Sequence, residues 1–266
     1  RPPRSTLFPY TTLFRSLNEV LRQSEQSGIL YNATMIRQMI THDDITQLPK
    51  IHFSGFQDIQ LMPGAELIEA LADSYHHVGL DDTIVVTRSN KRANIFNQGI
   101  RNMVLDRDEE LSQGDILMIV KNNYYWMEEE RKKVSEERRV KSEELPAFLA
   151  NGDRAKVLRV RRRIDLYGFR FATLLLQFPD YDNYELEATV LLDTLTSEAP
   201  ALTHEQQEQL FRQIEEDYQD IPLKADRMKA IRQDRFFNAL QVKFAYAVTC
   251  QDRKSTRLNS SHSSVS

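Results

Sequence analysis

The stretch Asp82-Thr-Ile-Val-Val-Thr87-Arg88-Ser89-Asn90 runs directly into Lys91-Arg-Ala-Asn94-Ile-Phe-Asn97-Gln-Gly-Ile-Arg101. A β-branched apolar run ends at a Thr-Arg-Ser-Asn turn, and Ala93, Phe96, Ile100 and Val104 then recur at helical spacing. This pattern predicts a strand, a tight corner and an amphipathic helix, with Asn94, Asn97 and Arg101 turned away from the apolar stripe. Ser89 or Asn90 is suited to cap that helix. Such a corner sets polar side chains and free backbone N–H groups at the carboxyl edge of a sheet, where α/β proteins bind phosphorylated ligands.

Upstream, Leu17-Asn-Glu-Val-Leu-Arg22-Gln23 reads as a short strand with an Arg-Gln pair at its end. Ser27 is a good N-cap for a helix in which Ile29, Ala33, Ile36, Met39 and Ile40 share one face. Asp58-Ile-Gln-Leu-Met62 is strand-like. Pro63-Gly64 starts a helix carrying Leu67, Ile68, Leu71, Ala72 and Tyr75, with Gly79 as its C-cap. Downstream, Asp115-Ile-Leu-Met-Ile-Val120 is a buried-strand candidate followed by Lys121-Asn-Asn-Tyr-Tyr-Trp126. Alternating helical and strand periods indicate an α/β layer structure.

Composition shifts at Met127. The stretch Glu128 to Glu144 mixes both charge signs with few apolar residues and reads as a solvated helix or a connection. Ala155–Val160, Phe169–Phe178 and Glu185–Leu192 have strand character, separated by Asn151-Gly152-Asp153, Tyr167-Gly168 and Pro179-Asp180 turns. These predict a small β-rich, barrel-like subdomain inserted at residues 127–234. A helix with a Thr203 to Gln206 capping box runs to about Tyr218, and a second runs from Leu223 to Gln233. Leu240 to Cys250 reads as one strong strand.

The 266 residues, 41% of them apolar, suffice for one large or two small cores. No apolar run approaches the roughly 20 residues of a membrane span, so no membrane partner is expected. The single cysteine, Cys250, excludes a disulfide framework within the sequence and a cysteine-rich metal site, and a cytoplasmic setting fits. Residues 1–16 and 252–266 resemble in-frame translations of sequencing adapters and lack hydrophobic periodicity, so they are set aside from fold reasoning. Without them Lys+Arg falls from 35 to 29 and Asp+Glu from 39 to 38, moving the formal charge from −4 to −9. A general basic coat is excluded; a local basic groove is not.

No Gly-x-x-x-x-Gly-Lys-Ser/Thr phosphate loop occurs, and no H-E-x-x-H or C-x-x-C spacing. His76 and His77 are adjacent on a helix and do not face one another, so they read as solvated. Arg22 reads from periodicity as one half of an ordinary surface ion pair. Leu158-Arg-Val-Arg puts Arg159 and Arg161 on one strand face, and with Arg162 and Arg163 gives modest basic density.

Several segments, taken in order, resemble RecD-like ATP-dependent DNA helicases of superfamily 1. They are Leu17 to Gln23 with Ser27 to Ala33, the Thr87 corner, Gly114-Asp115 with Lys121-Asn-Asn-Tyr124, Asn151-Gly152-Asp153, and Phe244-Ala-Tyr-Ala-Val-Thr249-Cys250. The resemblance covers Leu17 to Cys250. It implies most of a second RecA-like domain, of the UvrD-like helicase C-terminal type, at residues 17–126 and 235–251, interrupted by the β-rich insertion. It further implies single-stranded DNA as a partner, contacted by Thr87, Arg88, Asn90, Asn97, Lys121, Asn123 and Thr249.

In the same resemblance Arg22, with Gln23 beside it, reaches the γ-phosphate of ATP, whose Mg2+ and phosphates are held by an amino-terminal RecA-like domain not included here. A guanidinium suits that task because it is always charged and matches phosphate geometry. The intact family unwinds DNA in recombination and repair. Here the family's His-Lys-x-Gln-Gly continuation after Cys250 is replaced by Gln251 and the adapter-like run. With no phosphate loop in the sequence, the chain alone is expected to be inactive as an ATP hydrolase. Two other readings stand beside this one: a non-catalytic nucleic-acid- or protein-binding module using the arginine-rich strand, and an inert α/β fragment.

Overall fold

The computed structural model describes residues 27–41, 48–136 and 145–250. The chain divides into two compact units between Leu67 and Ile68. Arg22, Gln23, the strand expected at 17–23 and the adapter-like termini lie outside the described residues.

In the first unit α1 spans Gly28–Thr41. Its N-terminus is capped twice. The Ser27 Oγ accepts from the Leu30 N–H at 3.1 Å, as the sequence predicts. The Asp58 carboxylate accepts from the Ser27 hydroxyl at 2.6 Å and from the Gly28 N–H at 2.8 Å. The expected strand at 58–62 is absent, because Asp58 is committed to this cap and the segment has no sheet partner. A second tether is the buried Asn32. Its amide donates to the Gly28 and His52 carbonyls at 2.8 and 2.9 Å, and its oxygen accepts from the His52 N–H at 2.8 Å. The Phe56 ring sits where a Gly28 side chain would be, 2.5 Å from an added Cβ, so position 28 tolerates only glycine. The covered face is thus that of Gly28 and Asn32, while Ile29 and Ile40 of the predicted apolar face are exposed.

In the second unit α2 (Leu67–His77) ends at Gly79, whose φ of +102° matches the predicted C-cap. The short β1 (Val85–Thr87) leads into α3 (Asn90–Gly99), capped by Ser89, whose Oγ accepts from the Arg92 N–H at 3.3 Å. One π-helical turn, Ile100–Val104, continues α3. The next elements are β2 (Ile116–Ile119), α4 (Tyr125–Glu136), β3 (Arg154–Leu166), β4 (Phe169–Phe178) and β5 (Tyr184–Leu191). They are followed by α5 (His204–Asp217), α6 (Lys224–Arg232), β6 (Leu240–Phe244) and β7 (Ala247–Thr249).

Strands β2 to β6 close a five-stranded barrel, antiparallel throughout except for the parallel β5–β6 pair. The β3–β4 turn uses Tyr167 and Gly168 at φ +57° and +73°, the two left-handed positions of a tight hairpin. Register shifts at Val157/Arg159 and Val160/Arg162 let the long β3 bend around the barrel. Helices α5 and α6 cross from β5 to β6 and bury Leu210, Ile214 and Ile231 with Phe169, Phe171 and Leu191.

The fold is therefore mixed α/β with a closed barrel, and two expectations change. The barrel takes β2 and β6 from outside the interval 127–234, because only they close its edges. Residues 240–250 form two strands. β6 completes the barrel, and the chain then breaks at Ala245-Tyr246 so that β7 pairs in parallel with β1. A side chain causes the break: the Asn97 amide donates to the carbonyls of Phe244 and Ala247 at 3.1 and 2.9 Å, and its oxygen accepts from the Ala247 N–H at 2.7 Å.

Candidate functional site

The parallel register of β1 and β7 sets Val85 opposite Ala247 and Thr87 opposite Thr249. Both threonines thus stand at the carboxyl ends of adjacent parallel strands, where the chain turns into α3. The Thr87 hydroxyl donates within reach of the Ser89 and Val248 carbonyls at 3.1 and 3.2 Å, and its own carbonyl accepts from the Cys250 N–H at 2.9 Å. Thr87 and Thr249 are buried and shape the corner rather than project from it. Arg88 is exposed and forms no hydrogen bond or ion pair among the described residues. Asn90 opens α3 half-buried, in a first turn whose leading N–H groups have no intrahelical acceptor. Lys91 adds a second exposed cation, 3.7 Å from Glu198. The corner thus presents positive charge and helix N–H groups from a rigid base.

Asn97 and Arg101 do not belong to that surface. Both were expected to turn outward, and both are buried, at 2% and 1% exposure. Asn97 spends its amide on the β6–β7 break. Arg101 holds Asp115 with two bonds of 3.1 Å, donates to the Glu109 carbonyl at 2.6 Å and lies 4.4 Å over the Phe244 ring. Arg107 donates to the same carboxylate at 2.9 Å and to the Tyr246 hydroxyl at 2.6 Å. The Tyr246 hydroxyl in turn donates to Asp115 at 2.9 Å and accepts from the Ile116 N–H at 3.2 Å. Burial, and then the neighbouring Asp115 charge, push the Tyr246 phenol well above its ordinary pKa. This network fixes the break between β6 and β7, and so fixes Thr249 beside Thr87.

A second surface lies where β2 leaves the barrel. A cleft of about 220 Å3 opens between residues 121–125, the 237–239 segment and the start of α5. Lys121, in its lining, is exposed and donates to the Gln207 oxygen at 3.2 Å. Tyr124 is half exposed, with one face stacked on Phe148 at 4.7 Å between centroids. Phe237, also partly exposed, lines the same cleft and meets the Phe211 ring edge-on at 6.2 Å between centroids. Tyr125 is half-buried, and burial, followed by Glu129 and Asp234, raises its pKa. No acidic side chain lines the cleft among the described residues.

Asn123, a predicted contact, is consumed internally. It caps α4 through the Trp126 N–H at 3.3 Å, donates to the Asn238 carbonyl at 2.9 Å and bridges to Leu149 through its backbone. Trp126 is buried with its indole N–H on the same Asn238 carbonyl at 2.9 Å. The predicted contacts therefore separate into exposed groups (Arg88, Lys121), the half-buried Asn90, and framework (Thr87, Asn97, Asn123, Thr249). Sequence reasoning missed Phe237, whose only signal is the aromatic pair Phe236-Phe237 after a charged turn. It also missed the Arg101–Asp115 pair, whose signal is an acid placed directly before the all-apolar run 116–120.

Half of the arginine-rich strand is already engaged. The β3 bulges leave Arg159, Arg161, Arg162 and Arg163 all exposed, but Arg161 pairs with Glu187 at 2.9 Å, and Arg163 with Glu109 at 3.6 Å and the Leu111 carbonyl at 2.8 Å. No group of metal-ligating side chains occurs among the described residues, and no described helix is long and apolar enough to cross a membrane. A scan against family models and a search of curated proteins both found no match.

Proposed function

We propose that this chain is the single-strand-gripping part of a RecD-like DNA helicase: an incomplete second RecA-like domain carrying a closed barrel. The observation that carries this reading is the in-register pairing of Thr87 and Thr249 at the carboxyl ends of two parallel strands, with Arg88 exposed beside them and unpaired among the described residues. A set of N–H groups and cations at such an edge suits the phosphate backbone of DNA and carries no sequence preference. ATP and Mg2+ belong on this reading mainly to an amino-terminal RecA-like domain, toward which Arg22 and Gln23 would reach. The chain alone then binds single-stranded DNA but hydrolyses no ATP. A binding module built on β3 has less support, because two of its four arginines are engaged by carboxylates.

The test is fluorescence anisotropy of the full chain with a labelled dT16 strand across a salt series. Binding should weaken with salt, and Arg88→Ala should lower affinity and reduce the slope of log K against log salt by about 0.7, one phosphate's share for single strands. Salt-independent binding, or an Arg88→Ala variant with unchanged affinity and slope, would overturn the proposal.

A further inference from the structure

We infer that the cleft between Tyr124 and Phe237 is a receptor for one nucleobase of the single strand whose backbone crosses the Thr87 corner. This rests on the reading above and adds a second point of contact to it. At about 220 Å3 the cleft is smaller than the roughly 300–1,000 Å3 of sites for drug-sized ligands, so it suits one ring system rather than a larger molecule. Its chemistry is that of a base site. Two partly exposed aromatic rings from distant parts of the sequence flank it, and each is backed by another ring, Tyr124 by Phe148 and Phe237 by Phe211. Rings held in this way present a face for stacking without losing side-chain freedom on binding.

Lys121 is an exposed cation in the lining, held by the Gln207 oxygen, which a nucleotide phosphate could replace; the Gln207 and Asn122 amides are otherwise engaged with the Leu202 carbonyl and the Asn151 N–H. Among the described residues no carboxylate lines the cleft, in a chain with more Asp and Glu than Lys and Arg. Glu129 and Asp234 act on Tyr125 from outside the lining, so Lys121 is the charged group that the cleft itself offers, and it suits a phosphate.

The cleft is also within a strand's reach of the corner. Gln241, which lines the cleft, and Thr249, at the corner, are joined through β6, the Ala245-Tyr246 break and β7. Eight residue steps span at most about 27 Å at roughly 3.4 Å each, which is about eight nucleotides at the stacked spacing of roughly 3.4 Å. A dT16 strand covers both points.

Trp126, the only tryptophan of the chain, reports on the cleft, because its indole bonds to the carbonyl of Asn238 in the lining. Titrating the full chain with dT16 should change Trp126 emission. Tyr124→Ala and Phe237→Ala should each weaken binding about ten-fold, within the range of one base-aromatic stack, while Tyr124→Phe, which keeps the ring, binds as the parent does. A 16-mer of abasic residues should bind more weakly, be indifferent to Tyr124→Ala and still respond to Arg88→Ala.

The outcomes separate the two claims. If dT16 binding depends on Arg88 but is unmoved by both ring variants and silent in Trp126 emission, the cleft inference falls and the proposed function stands. Absence of salt-dependent dT16 binding removes both. Displacement of Trp126 emission by a proline-rich peptide, with no response to dT16, reassigns the cleft to a protein ligand and overturns the inference.

Discussion

Arg101 enters the interior of the second unit, and Asp115 is the reason it can. A guanidinium at 1% exposure beside a carboxylate at 0% has both charges out of water, and the pair persists because nearly every donor and lone pair finds a partner. Removing one member leaves the other charge uncompensated. Asp115→Ala should therefore lower unfolding free energy by about 3–5 kcal/mol, measured by urea denaturation. Two tyrosines give a sharper contrast. Tyr246→Phe removes a hydroxyl that Arg107, Asp115 and the Ile116 N–H all use, and should cost about 1–3 kcal/mol. Tyr75 carries a buried hydroxyl with no hydrogen-bond partner among the described residues, and burial pushes its pKa up to about 12. Tyr75→Phe gives up no bond and should be neutral or slightly stabilising. Equal losses at positions 75 and 246 would contradict this account of the network. None of it is legible from residue type, because an arginine on the polar side of a helix stripe is ordinarily solvated. Only the acid ahead of residues 116–120 hints otherwise.

At the level of elements, the legible features are those whose signals are local. Ser27, Ser89 and Thr203 cap their helices as their sequence contexts predict, since a cap is decided within one turn. The Tyr167-Gly168 turn is equally local. The strand expected at 58–62 fails because Asp58 serves a helix thirty residues upstream, a use that no pattern within its own segment reveals. The candidate site divides in the same way: Arg88 and Lys121 follow from their own motifs, whereas Phe237 reaches the cleft from a segment more than a hundred residues away. The Asp58 cap has a pH signature. Hydrogen bonds from Ser27, then Gly28, hold its carboxyl below the ordinary value of 3.8. A depressed folded pKa means that the cap's contribution is present above that ordinary value and is lost as pH falls through the folded one. Backbone amide shifts of Gly28 and Ile29, followed by NMR, should move together below about pH 4 and stay flat in Asp58→Asn. An unchanged acid transition in that variant would place the titration on another group.

For the whole molecule, the decisive event is the closure of five strands by two short segments that the sequence assigns elsewhere. The apolar runs at 116–120 and 240–250 read as strands of a larger α/β sheet, and periodicity gives no means of telling a barrel strand from a buried sheet strand. What separates them is the Asn97 amide, which ends β6 at Phe244 and hands the chain to β7. A closed barrel has no free edge at which to fray, so β2, flanked by β3 and β6, should open only with the rest. In native-state hydrogen exchange, slow amides from β2, β4, β5 and β6 should share one opening free energy to within about 1 kcal/mol, whereas those of α6 exchange through smaller openings. Asp115→Asn, which weakens the network behind the β6–β7 break, should lower the shared value in all four strands together. The alternative is a stable β4–β5 hairpin with β2 and β6 docked loosely on it. In that case β2 and β6 exchange faster than β4 and β5 in the parent protein, and Asp115→Asn widens the gap. Asn97 and Asp115 tie the end of β6 to the start of β7, so their loss should loosen the Thr87–Thr249 pairing as well as the barrel, and with it the single-strand binding proposed for that corner.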